Sequence, residues 1–241
     1  MGKCMYLRKG ETHTAPISGT LASDLAVGST VKLMENGTAA EYLVVHQGLP
    51  SSMYDASCDG CWLLRKNAYK DYKQFHTSNT NDYENSYICD FLNNTFFNTL
   101  GETEQSVIKQ VKIPYRAGSG TSSTVSFGAN GLSVKSFLLG GYEVGFTTSN
   151  SSKFPIDGAK LSYFNSNESR IAYLVNENGT TAVYWWLRSA WIGNSGNAWG
   201  VDVYGDYSYA SCSTQRAVFP ALIVPSTALF DKNTLILKGV A

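Results

Sequence analysis

The chain has 241 residues, of which 43% are hydrophobic and only 16% are charged. Its 19 basic residues balance its 19 acidic residues, which argues against a protein that binds nucleic acid by neutralising phosphates and against a polybasic membrane contact. A chain of this length can bury roughly 70% of its unfolded surface, so a large core is available. A neutral, aromatic-rich surface suits neutral partners such as glycans or protein faces.

Targeting and redox signals are weak. Residues Met1 to Lys9 lack the apolar core of a signal peptide, and no run reaches the roughly 18 apolar residues of a membrane span. The five cysteines are odd in number and irregularly spaced, unlike those of a secreted disulfide scaffold.

Strand patterns occupy the first part of the chain. Ile17 to Leu25 and Thr30 to Met34 read as strands, and Ala40 to His46 reads as a return strand. Between the last two, Asn36-Gly37 predicts a tight hairpin, because both residue types accept positive φ values. Cys61 to Arg65 is a further predicted strand.

The two helical signals lie in the middle of the chain. Asn85-Ser86 can cap a short helix whose apolar face begins at Tyr87. Glu102 to Val111 predicts a second helix with acidic residues in its first turn, followed by a strand from Val111 to Pro114.

The Gly/Ser-rich residues 117–133 have little to bury and predict a surface insertion. Beyond them the strand signals resume, with a turn predicted over Asn176 to Gly179, where Asn178-Gly179 is the hairpin signal. The remaining predicted strands are Ile171 to Val175, Thr181 to Leu187, Trp199 to Gly205, Ala217 to Val224 and Thr234 to Leu237. Short strands at both ends with two short helices between them predict an α+β fold.

Two apolar stretches, Tyr184 to Ser189 and Arg216 to Leu222, bracket the 26 residues from Ala190 to Gln215, which we call the bracketed segment. Asp202 and Asp206 are its only ionised residues. Its Tyr, Trp, Ser, Gly and Asn content matches that of antibody binding loops, and the alternative is an ordinary polar surface loop.

A period of two in this segment places Trp199, Val201 and Val203 toward the core. Gly200, Asp202 and Tyr204 then face outward, near Asp206, Tyr207 and Tyr209. Exposed tyrosines indicate a surface that a partner covers. The alternative is that Tyr204, Tyr207 and Tyr209 pack on one another across a hairpin.

The bracket Trp-Trp-Leu-Arg-Ser … Arg-x-Val-x-Pro-Ala-Leu resembles that of a bacterial and phage family with a C-type-lectin-like fold, many of whose members are variable proteins of diversity-generating retroelements. The resemblance runs from about Leu21 to Val224. Two features depart from the family pattern. Ser189-Ala190 replaces a frequent Ser-Pro. The second bracket of the family usually reads Gly-Val-Arg-Pro-Ala-Leu, with Arg directly before Pro, whereas Arg216 lies four residues before Pro220.

The resemblance implies a single domain over residues 1–241 with the formylglycine-generating-enzyme-like variant of that fold. It also implies that residues 190–215 are a diversified surface whose ligand is a protein or glycan on a cell or virion surface. The implied location of the protein is a phage virion or a bacterial cell surface. A cytoplasmic location and a homo-oligomer stay open. No cofactor, metal, nucleic acid or membrane insertion is expected. The implied ligand-binding residues are Trp191, Asn194, Ser195, Gly200, Asp202, Tyr204, Asp206, Tyr207, Tyr209, Ser211 and Ser213.

Arg188 and Arg216 are expected to be structural, paired or hydrogen-bonded to loop carbonyls at the two ends of the segment. A calcium-dependent sugar site is not expected, because the Glu-Pro-Asn and Gln-Pro-Asp triplets are absent and Trp191 to Asn194 offers one side-chain oxygen. Cys58 and Cys61 have zinc spacing, but free thiols or one local disulfide are the simpler expectation; Cys89, His76 or His46 would have to complete a zinc site.

An enzyme is not expected, since the chain has no nucleophile elbow, phosphate loop or HExxH motif. The formylglycine-generating oxidases of the related fold use a pair of C-terminal cysteines, and only Cys212 lies in that region. Such an enzyme, or a fixed structural component of a virion or cell surface, is the alternative to a binding protein.

Overall fold

The computed structural model describes residues 18–241, so the expectations for Met1 to Lys9 and for Ile17 lie outside it. The structure is a mixed α+β arrangement of mostly short strands in several small sheets. Within the described residues the strands are β1 (Thr20–Leu21), β2 (Thr30–Glu35), β3 (Thr38–Gln47), β4 (Cys61–Arg65), β5 (Lys73–Gln74), β6 (Val111–Ile113), β7 (Tyr115–Arg116), β8 (Val125–Ser126), β9 (Leu132–Val134), β10 (Ala172–Asn176), β11 (Gly179–Val183), β12 (Trp185–Ala190), β13 (Asn197–Val201), β14 (Tyr207–Ser211), β15 (Gln215–Arg216), β16 (Ala221–Val224), β17 (Ala228–Phe230) and β18 (Leu237–Val240).

Helical structure is brief. It comprises α1 (Tyr87–Asp90), a π-helical turn (Phe91–Phe96), α2 (Glu102–Val107) and 3-10 turns at Ala22–Asp24, Ala56–Cys58, Phe97–Thr99, Gly128–Asn130 and Glu168–Arg170. No helix in the described part of the chain has the length and apolar character needed to cross a membrane.

The central sheet is antiparallel, in the order β16-β4-β3-β2. Its interior strand β4 is a near-continuous apolar run because Cys61 to Leu64 are all buried. The predicted hairpin between β2 and β3 is confirmed: Asn36 has φ 47°, Gly37 has φ 77°, and Glu35 pairs with Thr38. Both central residues have the positive φ of a type I′ turn.

The bracketed segment belongs to a second sheet, of order β12-β13-β14, which adjoins the central one. All six residues of β12 are buried. A bridge from Trp185 to Ala217 joins β12 to the chain leading into β16, and Ala221 of β16 bridges Phe137. Both ends of the segment therefore start from the core. A third sheet pairs β1 with β17 and brings Thr20 opposite Phe230.

The first helix begins as predicted, with the Ser86 hydroxyl accepting a hydrogen bond from the Cys89 N–H at 3.1 Å. The second helix is shorter than predicted. It ends at Val107, because the Lys109 N–H donates to the Ile223 carbonyl and commits the following residues to β6.

Two predicted strands near the chain ends were placed wrongly. Of the described part of Ile17 to Leu25, only Thr20–Leu21 is a strand, and the Gln47 side-chain amide binds the Ala22 and Leu25 carbonyls of the turn that follows. The last strand is Leu237–Val240, because the Asp231 carboxylate accepts the N–H groups of residues 233 and 234 and turns the chain there.

Three details differ around the brackets. The second hairpin turns over Asn176 to Gly179 as predicted, but its two-residue loop is Glu177-Asn178 and not Asn178-Gly179, since Asn176 pairs with Gly179. The predicted strand Thr181 to Leu187 divides at Tyr184 into β11 and β12, which enter different sheets. Ala217 to Val224 is a strand only from Ala221, since Pro220 has no N–H to donate.

Residues 117–133 include no buried residue. β7 and β8 pair at the base of this stretch, and its later part pairs with β6 through β9. The loop 117–124 therefore projects from a hairpin whose first strand is buried.

Candidate ligand-binding surface

The first bracket is fixed by a buried ion pair. The Arg188 guanidinium contacts both carboxylate oxygens of Glu143, at 2.6 and 2.7 Å, and both side chains are fully buried. Arg188 also donates to three loop carbonyls, those of residues 114, 138 and 157. Burial by itself would lower the pKa of Arg188, but the charge and hydrogen bonds of Glu143 outweigh it and hold that pKa above its usual value. The expected structural pairing of Arg188 is confirmed.

Ser189, the next residue, ties the bracket to a second carboxyl group. Its hydroxyl donates to Asp157 at 2.7 Å and accepts the Gly141 N–H at 2.7 Å. Burial raises the pKa of Asp157 to about 6, although the charge of Arg188 and the Ser189 hydrogen bond both act to lower it. The other Asp157 oxygen has no hydrogen-bond partner among the described residues.

The second bracket is fixed by Arg216. Its guanidinium lies over the rings of Tyr184 and Trp186, at 5.2 and 4.9 Å from their centroids. It donates to the Ser208 hydroxyl at 2.9 Å and to the Tyr209 carbonyl at 3.0 Å. Burial lowers the pKa of Arg216 to about 10, which still leaves it charged at neutral pH. The expected structural role of Arg216 is confirmed, but its carbonyl partner lies in strand β14 and not in a loop.

Four stacked aromatic rings, two of them from the bracketed segment, form the support of the surface, which we call the ring stack. Phe146 lies parallel to Phe154 at 5.8 Å, Phe154 to Trp199 at 4.0 Å, and Trp199 to Trp191 at 4.8 Å. The Trp199 indole N–H donates to the Lys153 carbonyl at 3.2 Å. Stacked, hydrogen-bonded rings have little freedom to reorient, so the outermost ring, Trp191, is held in place.

Two tyrosines of β14 stand edge-on against the ring stack. Tyr209 meets Trp191 at 4.1 Å, and Tyr207 meets Phe154 and Trp199, both at 6.0 Å. These tyrosines therefore pack on the ring stack and, as far as the described aromatic pairs go, not on one another. Tyr209 remains 52% exposed.

The outward orientation predicted for Gly200 is wrong. Gly200 is buried, and a Cβ added to it would approach Arg216 and the Trp185 carbonyl more closely than the 3.0 Å that real Cβ atoms keep. At Gly200 the strand β13 is covered by the ring stack on one face and by Arg216 on the other, and Ala198 to Val201 are all buried, while Asn197 is half-exposed. The predicted strand also ends early, at Val201, and Val203 is half-exposed instead of lying in the core.

The chain turns at residues 202–206 and presents Tyr204, which is 74% exposed. One Asp202 oxygen accepts the N–H groups of Tyr204 and Asp206, both at 2.9 Å, and Asp206 accepts the Tyr207 N–H at 2.7 Å. Gly205 has φ 77° and lies against the Asn167 backbone. The carboxylates of Asp202 and Asp206 therefore accept backbone hydrogen bonds that stabilise the turn carrying Tyr204.

Asn81, which sequence reasoning missed, anchors the start of the segment. It is fully buried, and its amide nitrogen lies 2.7–3.1 Å from the carbonyl oxygens of Trp191, Asn194 and Asn197. Its own N–H donates to the Ser195 carbonyl at 2.6 Å. Nothing in the local sequence indicates this role, because the partners lie more than 100 residues further along the chain.

The remaining predicted residues lie on the same side of the molecule. The Ser211 hydroxyl donates to Asn79 at 2.7 Å and lies 2.8 Å from the Ser213 hydroxyl, which joins the end of β14 to the loop 77–80. Trp191, Asp202 and Ser211 are half-exposed, and the exposed members are Asn194, Ser195, Tyr204, Asp206, Tyr207, Tyr209 and Ser213.

The cysteines of the described chain are buried in the core, including Cys212 of the bracketed segment. Cys58 and Cys61 are unbridged and buried, and so are Cys89 and Cys212. Burial raises the pKa of each of these thiols to about 12. Within residues 18–241, no three His, Cys, Asp or Glu side chains are grouped as metal ligands.

The structure thus defines a mixed α+β protein with an aromatic surface of few charges, held by two buried arginines. The chain belongs to the family described as "Domain of unknown function (DUF6273)", which matches residues 59–226 and so includes both brackets. No curated protein and no solved structure matches the chain.

Proposed function

We propose that this protein is a ligand-binding protein with a C-type-lectin-like fold, which displays the bracketed segment to a protein or glycan on a phage virion or bacterial cell surface. The observation that carries the proposal is the ring stack beneath the segment. A rigid floor from Phe146 to Trp191 supports Tyr207 and Tyr209 and leaves large ring areas open to a partner. Exposed aromatic clusters on a rigid framework are typical of binding surfaces.

The two brackets support the same function. Arg188 with Glu143, and Arg216 with Tyr184 and Trp186, fix the ends of the segment through contacts that do not involve the exposed side chains of residues 190–215. Residues at exposed positions can therefore be replaced without disturbing the anchors. This is the property that a diversified segment requires, and we propose diversification at the predicted positions other than Gly200.

The buried thiols favour binding over cysteine chemistry. Thiolates are the reactive form of cysteine, and burial keeps all four described thiols protonated by raising their pKa to about 12. Cys212, which resembles an oxidase position only in its location, is fully buried below β14.

Deep sequencing of codons 185–222 across a population of the source organism or virus tests the diversification. We expect replacements at exposed positions between residues 190 and 215, with Arg188, Gly200 and Arg216 unchanged. An invariant segment would remove diversification and leave a fixed-specificity binder or a structural component.

A pair of alanine variants tests whether the exposed rings are free of the core, as a binding role requires. Tyr204 is mostly solvent-exposed, so Tyr204→Ala should leave the melting temperature unchanged, whereas Tyr207→Ala should lower it because Tyr207 packs on Phe154 and Trp199. Tyr173→Ala, at a 41% exposed tyrosine of β10, is the matched control outside the segment. A large loss of stability in Tyr204→Ala would place that ring in the core and contradict the proposal.

A further inference from the structure

A second loop borders the bracketed segment. The Gly193 N–H donates to the Gly120 carbonyl at 3.0 Å, and a Cβ at Gly120 would lie 3.9 Å from that of Ser195. The loop 117–124 therefore touches the segment directly, at the end that carries Trp191.

One buried guanidinium holds the loop and the segment together. Arg116, which is 2% exposed, donates to the Gly120 carbonyl at 2.8 Å and to the Ser122 carbonyl at 2.6 Å. It also donates to the Asn81 side-chain oxygen at 3.2 Å. Since Asn81 in turn binds the backbone of residues 191–197, the two loops share one support and have a fixed relation to each other.

Apart from Asp202 and Asp206, which lie in the turn that carries Tyr204, the combined surface is uncharged and hydroxyl-rich. Residues 117–124 read Ala-Gly-Ser-Gly-Thr-Ser-Ser-Thr, without a charged residue, and Ser119, Thr121 and Ser123 are exposed. The adjoining loop 77–80 and residues 190–201 also lack charge. The arginines of the region are buried in internal contacts, and Lys153 near Gly193 is the cation at the rim.

We propose that loop 117–124 and the bracketed segment form one binding surface for a neutral carbohydrate. The proposal rests on the proposed function, whose ligand it narrows to one class. Sugar rings present C–H faces that pack on the fixed faces and edges of Trp191 and Tyr209, and neutral hydroxyls that pair with Ser, Thr and Asn side chains without desolvating an ion. Protein interfaces are enriched in arginine, and this surface has no exposed arginine among its residues, so a glycan fits better than a protein face.

The test uses the full chain on an array of neutral and acidic oligosaccharides. The loop variant is Ser119→Ala/Thr121→Ala/Ser123→Ala, and the segment variant is Tyr204→Ala. Thr180→Ala/Thr181→Ala, at exposed positions of β11, is the matched control for loss of surface hydroxyls. Thermal melts of all the variants show whether any effect reflects unfolding.

We expect the wild type to bind neutral oligosaccharides. Three lost hydroxyl contacts should weaken binding by the loop variant about tenfold or more, with an unchanged melting temperature and an unaffected control. A wild type that binds no neutral glycan overturns the proposal. If it then binds arrayed proteins and Tyr204→Ala weakens that binding, the proposed function stands without the carbohydrate. If Tyr204→Ala weakens glycan binding and the loop variant does not, the segment binds the glycan and only the proposed role of loop 117–124 is refuted.

Discussion

Gly200→Ala tests the inward orientation of Gly200, where sequence pattern and structure disagree. The added Cβ would press on the Trp185 carbonyl and on the Arg216 guanidinium. The carbonyl belongs to the paired strand β12, all of whose residues are buried, so the two strands would have to separate. Overpacking of this kind costs about 1–3 kcal/mol. In a chain of this size about 1 kcal/mol corresponds to roughly 2–4 °C, and we expect the melting temperature to fall by about 2–12 °C.

Gly196→Ala is the matched control in the same segment. Its Cβ would meet the Asn79 amide nitrogen at 3.0 Å, the far end of an exposed side chain that can move aside. Both variants are compared with the wild type by thermal unfolding and by denaturant titration. A Gly200→Ala protein as stable as the wild type would refute the orientation and restore Gly200 as a candidate contact residue.

Three further predictions concern buried groups. Arg188→Met should lower the free energy of unfolding by about 3–5 kcal/mol, because it leaves Glu143 buried and unpaired. Denaturant titration should show that the double variant Arg188→Met/Glu143→Gln recovers part of this lost stability. If it recovers none, Arg188 and Glu143 are not energetically coupled. The Asp157 pKa of about 6 lies above its usual 3.8, so its stabilising protonated form is lost as the pH rises through about 6. The unfolding free energy of Asp157→Asn relative to the wild type should therefore rise by about 2 kcal/mol between about pH 4 and pH 7, and a constant difference would contradict this. In Cys4→Ser, a thiol reagent should label four cysteines only after denaturation, and fast labelling of the native protein would contradict the burial of Cys58, Cys61, Cys89 and Cys212.

Local features of the sequence determined several elements by themselves. Asn36-Gly37 specified its hairpin because few other residue pairs accept positive φ at both positions. Ser86 specified the start of α1, since its hydroxyl caps an N–H three residues ahead. The apolar run Cys61 to Arg65 specified strand β4 with its observed limits. The bracket composition likewise identified both arginines as structural residues, although only Arg188 has the expected loop-carbonyl partners.

Only the tertiary structure decided which side chains of the segment face solvent. A period of two assigns alternate residues to opposite faces, but it cannot show that Arg216 covers the second face of β13 and buries Gly200. The partners of Arg188 and Asn81 were equally hidden, since Glu143 lies 45 residues from Arg188, and the carbonyls bound by Asn81 lie more than 100 residues away. Contacts between residues so far apart in sequence depend on how the sheets pack, and local pattern carries no information about that packing.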